Sequence, residues 1–126
     1  MRILIAEDEA IARKVLARAV TNLGHECIVA NDGEEAWTTF QTEQPEVIIS
    51  DRMMPGIDGL ELCRRVRTAA ETYTYFVLVT GLDEVAQRLE GMRAGADDYL
   101  PKPLNKNELE LRLIAAERVT ALHRQI

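Results

Sequence analysis

The sequence lacks the residue patterns on which several classes of small domain depend. Its two cysteines, Cys27 and Cys63, are far apart, so neither a CxxC redox pair nor a zinc-ligand set is present. Neither GxxxxGK[ST] nor GxGxxG occurs, which argues against an enzyme or flavin binder built on a phosphate-binding loop. No apolar run approaches the ~20 residues of a membrane helix, and Met1-Arg2 leads into a strand-like run rather than a signal peptide. We therefore expect a cytoplasmic domain without membrane contact.

A basic patch is missing as well. The formal net charge is −6 over 126 residues, which argues against nucleic-acid binding by this segment. The hydrophobic fraction of 47% is that of a soluble globular protein, and the length suits one domain of ordinary size. Repeats, low-complexity tracts and internal linkers are not recognisable, so residues 1–126 are interpreted as a single domain.

What is present is an alternation of strand-like and helix-like segments, with polar residues where four of the strands end. The apolar runs and the residues that follow them are Ile3–Ala6 with Glu7 and Asp8, Val47–Ser50 with Asp51, Phe76–Val79 with Thr80, and Tyr99–Pro101 with Lys102. The alternation predicts an α/β fold: a doubly wound, five-stranded parallel sheet with helices on both faces. Ligands of such sheets bind outside the carboxyl ends of the strands. We therefore expect these polar residues to converge on one site.

The helix–strand units can be placed from caps and periodicity. Predicted strands are Arg2–Ala6, Cys27–Ala30, Val47–Ser50, Tyr75–Val79 and Asp98–Leu100, and predicted helix starts lie near Glu9, Asp32, Asp58, Asp83 and Asn105. Glu follows Asp32, Asp58 and Asn105 three residues later, the spacing of a capping box. In the first helix, Ile11, Val15, Ala19 and Leu23 fall on one apolar stripe, and Val85 with Leu89 are the apolar positions of the fourth.

The three predicted acids at the strand ends would repel one another without a cation. Carboxylate oxygens suit hard cations such as Mg²⁺ or Mn²⁺. Any one acid has a simpler interpretation, because Asp8 could cap the first helix and Asp51 the turn that follows it. Together with a lysine and a hydroxyl, however, the acids suit phosphoryl transfer to a carboxylate, which depends mainly on positioning and charge neutralisation.

In this order and spacing, the residues resemble the receiver domain of two-component response regulators. The matching segments are Glu7-Asp8, Asp51, Met54-Pro55-Gly56-Ile57-Asp58-Gly59, Thr80, Gly95-Ala96-Asp97-Asp98-Tyr99 and Lys102-Pro103, and the resemblance extends over essentially the whole chain. It implies a flavodoxin-like (βα)5 fold. It also implies a regulatory phosphoprotein rather than an enzyme, one that catalyses only its own phosphoryl transfer and slow dephosphorylation.

The resemblance implies a role for each acid. Asp51 is expected to accept a phosphoryl group from the phosphohistidine of a sensor histidine kinase or a histidine phosphotransfer protein. Asp8 is expected to contact Mg²⁺ directly, Glu7 to help hold it and Asp51 to complete the carboxylate set. Met53 is expected to offer its backbone carbonyl to the metal, so that its side-chain identity matters little for ligation.

The resemblance also implies how the signal leaves the site. Thr80 and Lys102 are expected to bind phosphoryl oxygens, with a cis bond between Lys102 and Pro103. The Thr80 hydroxyl would move toward the phosphoryl group, and Tyr99 could rotate into the vacated space. Spacing alone equally allows Tyr99 to be a half-buried strand aromatic with a wet hydroxyl. An unknown output domain or partner would read the face formed by helix four, strand five and helix five.

Two alternatives concern function and assembly. A receiver-like scaffold that binds partners without phosphorylation would be expected to lack Asp51 or Lys102, and this chain has both. At the end of the chain, Ala115, Val119, Leu122 and Ile126 have the 4-3-4 spacing of a coiled-coil seam, or they complete the apolar face of the last helix. The seam would let helix 105–126 continue into an output domain. Alone, the domain is expected to be a monomer or a weak dimer.

Overall fold

The computed structural model describes residues 1–81 and 85–124, in which five strands alternate with five helices. The strands are β1 (Arg2–Ala6), β2 (Glu26–Ala30), β3 (Val47–Asp51), β4 (Tyr75–Thr80) and β5 (Asp98–Pro101). The helices are α1 (Ala10–Asn22), α2 (Gly33–Glu43), α3 (Gly59–Ala69), α4 (Val85–Ala94) and α5 (Lys106–Arg124). The predicted helix start at Asp83, the side chain of Val85 and the seam residue Ile126 lie outside the described part of the chain.

All strand pairs are parallel, in the order β2-β1-β3-β4-β5. The doubly wound parallel sheet predicted from the alternation is therefore confirmed. No helix within the described ranges is long and apolar enough to cross a membrane.

The core consists of two apolar layers, one on each face of the sheet. Successive strand residues point to opposite faces, so Leu4 and Ala6 join the layer under α2 and α3. Ile3 and Ile5 join the layer under α1 and α5. Every residue of β3 is buried, because this central strand is covered on both faces. The site residues at the ends of β1 and β3 are thus attached to strands that are almost entirely buried.

Three helix starts use the predicted caps, although the reciprocal half of the capping box is absent. Asp32, Asp58 and Asn105 each accept a hydrogen bond from the backbone N–H three residues later, at 2.8, 2.9 and 3.1 Å. The three glutamates have other partners: Glu35 accepts from the amide of Asn31, Glu61 pairs with Arg65, and Glu108 pairs with Arg112. The caps themselves therefore account for the helix starts.

Three of the apolar helix positions named from the sequence are exposed. Ile11 is 71% exposed and Val15 48% exposed, whereas Ala19 of the same predicted stripe is buried together with Leu16 and Val20. Leu23, the last residue of the stripe, packs against the core. Leu89 of α4 is 51% exposed. A four-residue spacing defines a stripe on a helix, but it does not say whether that stripe or the one beside it meets the sheet.

The residues of the predicted seam near the end of α5 differ in burial. Val119 packs against the layer that holds Ile3 and Ile5, and Ala115 is half-buried. Leu122 is exposed. The first part of the apolar spacing therefore belongs to the domain's own core.

Candidate functional site

The register of the sheet brings the predicted site residues to one edge. Ala6 pairs with Ser50, so Glu7 leaves β1 beside Asp51, the last residue of β3. Thr80 is the last residue of β4 and pairs with Pro101, which places Lys102 just beyond the end of β5. The carboxyl ends of the strands thus carry the acids, the hydroxyl and the amine that the sequence predicted.

The three acids form one cluster. Glu7, Asp8 and Asp51 each place a carboxylate oxygen within 4.8 Å of the others, with Glu7 and Asp51 buried and Asp8 exposed. Burial raises the pKa of Glu7 to about 7, and the neighbouring charge of Asp51 adds to the effect, although a hydrogen bond from the amide of Glu9 opposes it. The charged form of the Glu7 carboxylate is therefore less favourable in the cluster than in water.

Asp8 does not cap α1. Glu9 is the N-cap residue, and its carboxylate oxygens accept hydrogen bonds from the amides of Ile11 and Ala12 at 3.2 and 2.6 Å. The simpler interpretation of Asp8 as a helix cap is thereby excluded, and its carboxylate remains available to the cluster.

Lys102 is joined to the cluster through Asp51. Its Nζ donates to Asp51 Oδ2 at 2.8 Å. Burial lowers the pKa of Lys102, but the hydrogen bond and the charge of Asp51 outweigh this and raise it above its ordinary value. The peptide bond between Lys102 and Pro103 is cis. Both residues line a cleft of about 440 Å³ that also contains Glu7, Asp8 and Asp51.

Thr80 carries a buried hydroxyl at the end of β4. Within residues 1–81 and 85–124, no hydrogen bond to its Oγ1 is formed. Leaving a buried hydroxyl unsatisfied is unfavourable, and such groups commonly mark a functional constraint. A hydroxyl at the end of β4, one strand from Asp51, has the position needed to meet an acceptor group bound at that carboxylate.

The loop after Asp51 is held close to the site by glycine. A Cβ on Gly59 would lie 2.4 Å from the carbonyl oxygen of Asp51, so a side chain at this position would displace the strand end. Gly56 has φ +73°, the conformation that the turn-rich sequence predicted. Gly59 does not have the positive φ that the sequence also allowed for it. A glycine is needed at this position because it packs closely on Asp51.

Two arginine contacts near the site were not predicted. Arg88 of α4 donates to the hydroxyl of Tyr99 at 2.6 Å and lies over its ring, so this half-buried aromatic is not free. Arg52, the residue after Asp51, reaches Glu90 of α4 at 3.0 Å. These pairs join residues 11 and 38 positions apart on different elements, for which the sequence contains no periodic signal.

The donor set fits a hard divalent cation. Three carboxylates supply oxygen ligands, and their mutual proximity and the raised pKa of Glu7 indicate that a further positive charge would stabilise them. The fit rests on the side chains of Glu7, Asp8 and Asp51. The side chain of Met53 is exposed and takes no part in the cluster.

Similarity to known proteins agrees with this arrangement. The chain is 40% identical over 119 residues to the probable transcriptional regulator ycf27 of Guillardia theta, covering 94% of this chain and 46% of that protein. It is 42% identical over 120 residues to the response regulator MprA of Mycobacterium leprae, covering 95% and 52%. The chain therefore spans about half the length of these curated relatives.

A solved structure and a family model extend the comparison. The crystal structure of a putative response regulator from Chloroflexus aurantiacus superposes with a TM-score of 0.87 at 33% identity, covering 91% of this chain and 95% of the other. Residues 3–114 match the family model of the response regulator receiver domain. A matching sequence over most of the chain, a five-stranded parallel sheet and acids gathered at its carboxyl edge lead to one conclusion: this chain belongs to the response regulator receiver domain family of two-component signalling.

Proposed function

We propose that this domain is a phosphorylation-dependent switch whose phosphoacceptor is Asp51. One observation carries the proposal: Asp51 Oδ2 lies 2.8 Å from Lys102 Nζ while its carboxylate belongs to the cluster with Glu7 and Asp8. The nucleophile, an ammonium group and a set of oxygen ligands are therefore combined within one cleft. The domain is a regulatory component of the cytoplasm and not an enzyme that turns over a separate substrate.

In the proposed reaction, a carboxylate oxygen of Asp51 attacks the phosphorus of a phosphohistidine. The phosphorus–nitrogen bond breaks, its electron pair returns to the imidazole, and an aspartyl phosphate forms. The Lys102 ammonium and the Thr80 hydroxyl donate hydrogen bonds to the phosphoryl oxygens, where charge develops. Lys102 thereby exchanges one anionic partner for another, and the unsatisfied Thr80 hydroxyl gains an acceptor.

Glu7, Asp8 and Asp51, with the backbone carbonyl of Met53, are proposed to hold Mg²⁺ or Mn²⁺. When bound, the cation supplies charge neutralisation for the incoming phosphoryl group. The phosphodonor is a sensor histidine kinase or a histidine phosphotransfer protein. Its phosphohistidine must enter the cleft beside Lys102 and Pro103.

The proposed output follows from Thr80 and Tyr99. Movement of the hydroxyl toward the phosphoryl group changes the packing beneath α4, and Tyr99 then rotates out of its contact with Arg88. A separate partner or an attached output domain reads the face formed by α4, β5 and α5. In relatives about twice as long as this chain, the remaining half offers one place for such an output.

Phosphorylation can be tested with small phosphodonors. The protein should gain one phosphate on incubation with acetyl phosphate or phosphoramidate in the presence of Mg²⁺ or Mn²⁺, as measured by intact mass. The adduct should be absent in Asp51→Asn and after chelation. Asp32→Asn is a matched control, because it makes the same chemical change at a helix cap outside the cluster.

An unchanged adduct in Asp51→Asn would remove Asp51 from the nucleophile role. A wild-type protein that gains no phosphate from either donor, with Mg²⁺ present, would favour the alternative of a scaffold that acts without phosphorylation. Loss of the adduct in Asp32→Asn would indicate that folding, and not the carboxylate at residue 51, decides the result.

A further inference from the structure

Arg52 follows the proposed phosphoacceptor Asp51, and its largely buried side chain extends toward helix α4. Its amide donates to the carbonyl of Val79 at 3.1 Å, which fixes its backbone directly after Asp51. Its side chain is only 14% exposed, and its Nη2 donates to Glu90 Oε1 at 3.0 Å. Arginine is seldom so buried without a paired anion. Glu90 supplies that anion from a different element, so the pair joins the β3–α3 loop to α4.

The same guanidinium also contacts the loop that the proposed metal site uses. Nη1 of Arg52 lies 3.3 Å from Sδ of Met53, whose backbone carbonyl is the fourth proposed metal ligand. A rearrangement of this loop on metal or phosphoryl binding therefore acts on the residue that holds α4. The remaining guanidine nitrogen, Nε, is buried without a hydrogen-bond partner in the described residues, so the side chain is not fully satisfied in this arrangement.

Among the described side chains of helix α4, the large apolar ones bury little surface, so polar links contribute to its position. Leu89 and Met92 are both exposed. Gly91 lies so close to the sheet that a Cβ would be 2.5 Å from Leu78 Cδ1, and a glycine inside a helix also weakens the helix itself. A helix held by few apolar contacts can change position at low cost, so one ion pair has a measurable influence on where it lies.

We propose that the ion pair between Arg52 and Glu90, here called the α4 clamp, holds helix α4 in its unphosphorylated position and thereby slows phosphorylation of Asp51. The clamp is an additional regulatory link, separate from Thr80 and Tyr99, and it rests on the proposed function of the site. A phosphoryl group on Asp51 adds negative charge next to Arg52. That charge competes with Glu90 for the guanidinium and weakens the hold on α4.

The coupling must act in both directions. If phosphorylation weakens the clamp, the clamp disfavours the phosphorylated state by the same equilibrium factor. The labelling rate changes with it in this proposal because Asp51 accepts the phosphoryl group when the clamp is open. Glu90 is 53% exposed, so solvent screens the pair, and we expect a factor of about two to five rather than a larger one.

The test compares Glu90→Gln with wild type in two measurements. Initial rates of labelling with acetyl phosphate and Mg²⁺ should rise about two- to fivefold in the variant. Amide hydrogen exchange, measured without phosphodonor or metal, should become faster in residues 85–94 and remain unchanged in α1. Glu110→Gln is the matched control: it removes an exposed glutamate from α5 without removing an ion pair recorded in the structure. Glu90→Asp keeps the charge and should return the rate toward wild type.

The outcomes separate the clamp from the function on which it rests. A wild type that is not labelled overturns the proposed function, and the clamp with it. A labelled wild type whose rate and exchange are both unchanged in Glu90→Gln overturns the clamp alone. An equal rise in Glu110→Gln also overturns it, since any loss of negative charge would then suffice. A rise confined to Glu90→Gln, accompanied by faster exchange in α4, supports it.

Discussion

Arg67 Nη2 lies 2.6 Å from Asp97 Oδ2, and this pair ties helix α3 to the loop before β5 at the end of the sheet opposite the acidic cluster. The same carboxylate oxygen accepts a hydrogen bond from the amide of Phe76 at 2.8 Å, while the hydroxyl of Tyr73 donates to the other. Arg67 also donates to the carbonyl of Gly95. Asp97 is thus satisfied by three donors from two elements and a loop, which makes it a structural residue.

Asp97→Ala should destabilise the fold by about 3 kcal/mol, because it leaves the partly buried Arg67 guanidinium without its anion and removes an acceptor from the amide of Phe76. The free energy of unfolding is measured by urea denaturation. Glu43→Ala is the control, since it breaks an ion pair with Arg2 of similar length, 2.8 Å, at an exposed position. That control should lose less than about 1 kcal/mol. Equal losses of unfolding free energy in the two variants would mean that the Arg67–Asp97 pair stabilises the fold no more than the exposed pair does.

This pair illustrates what the sequence alone could not predict. Asp97 belongs to a segment that resembles the receiver family, but its partner Arg67 lies 30 residues earlier on α3. Side-chain pairs between elements depend on the rotation of each helix about its axis. The apolar stripe predicted for α1 did not give that rotation, because Ile11 and Val15 face solvent whereas Ala19 of the same stripe is buried.

The sheet and the positions of the site residues could be predicted more fully from the sequence. A residue at the end of a parallel strand lies at the carboxyl edge whatever the exact rotation of the helices, so Asp51 and Thr80 could be placed from the apolar runs that precede them. The buried run of β3 is clear in sequence because both faces are covered. The hydrogen bond of Lys102 to Asp51 follows from the same edge geometry.

The two cysteines should differ sharply in reactivity. Cys63 is fully buried, and burial raises its pKa to about 11, whereas Cys27 is only half-buried and its pKa is also raised by burial. At pH 8 an alkylating reagent should modify Cys27 first, because a thiol must be exposed and ionised to react. Mass spectrometry of the time course gives both rates.

Burial of Cys63 also predicts how the free energy of unfolding changes with pH. A thiol whose folded pKa is raised contributes stability below its unfolded value of 9.0, and this contribution is lost as the pH rises toward 11. Cys63→Ala should therefore reduce the part of the alkaline destabilisation that falls between these values. In urea, both cysteines should react at the same rate. Equal rates in the folded protein would contradict the burial of Cys63.

Mg²⁺ should raise the melting temperature of the wild-type protein. The oxygens of Glu7, Asp8 and Asp51 lie within 4.8 Å of one another, and a cation that binds only the folded state stabilises it by about 1.4 kcal/mol at ten times its dissociation constant. Asp8→Asn should lose most of this gain and should melt at a higher temperature than wild type without metal, because one repelling charge has been removed.

Asp58→Asn serves as the control for the metal experiment, since asparagine keeps the N-cap of α3 and the residue is not part of the cluster. Its melting temperature should rise with Mg²⁺ as much as that of wild type. Scanning calorimetry with and without a chelator provides the measurement. A Mg²⁺ response in Asp8→Asn equal to that of wild type would place the cation elsewhere.

Thr80→Ala should separate phosphorylation from its transmission. The hydroxyl has no partner in the described residues, so its removal should change the free energy of unfolding by less than about 1 kcal/mol. Labelling of Asp51 should continue about tenfold more slowly, since one charge-assisted hydrogen bond to the phosphoryl group is lost. The response of Tyr99 should be lost, because nothing then draws the end of β4 toward the phosphoryl group and Tyr99 keeps its 2.6 Å hydrogen bond with Arg88.

NMR spectra with and without beryllofluoride, a phosphoryl mimic, test this separation. In wild type, resonances of α4 and of Tyr99 should shift together with those around Asp51. In Thr80→Ala the shift of Tyr99 should be lost, while the shifts around Asp51 and the part of the α4 shift that depends on Arg52 and Glu90 should remain. Thr21→Ala is the control, since it removes a hydroxyl that bonds the carbonyl of Ala17 on α1 and should leave both sets of shifts intact. If Thr80→Ala shifts Tyr99 as fully as wild type does, the hydroxyl is not the link to Tyr99, whereas the contact of Arg52 with Glu90 still connects the loop after Asp51 to helix α4.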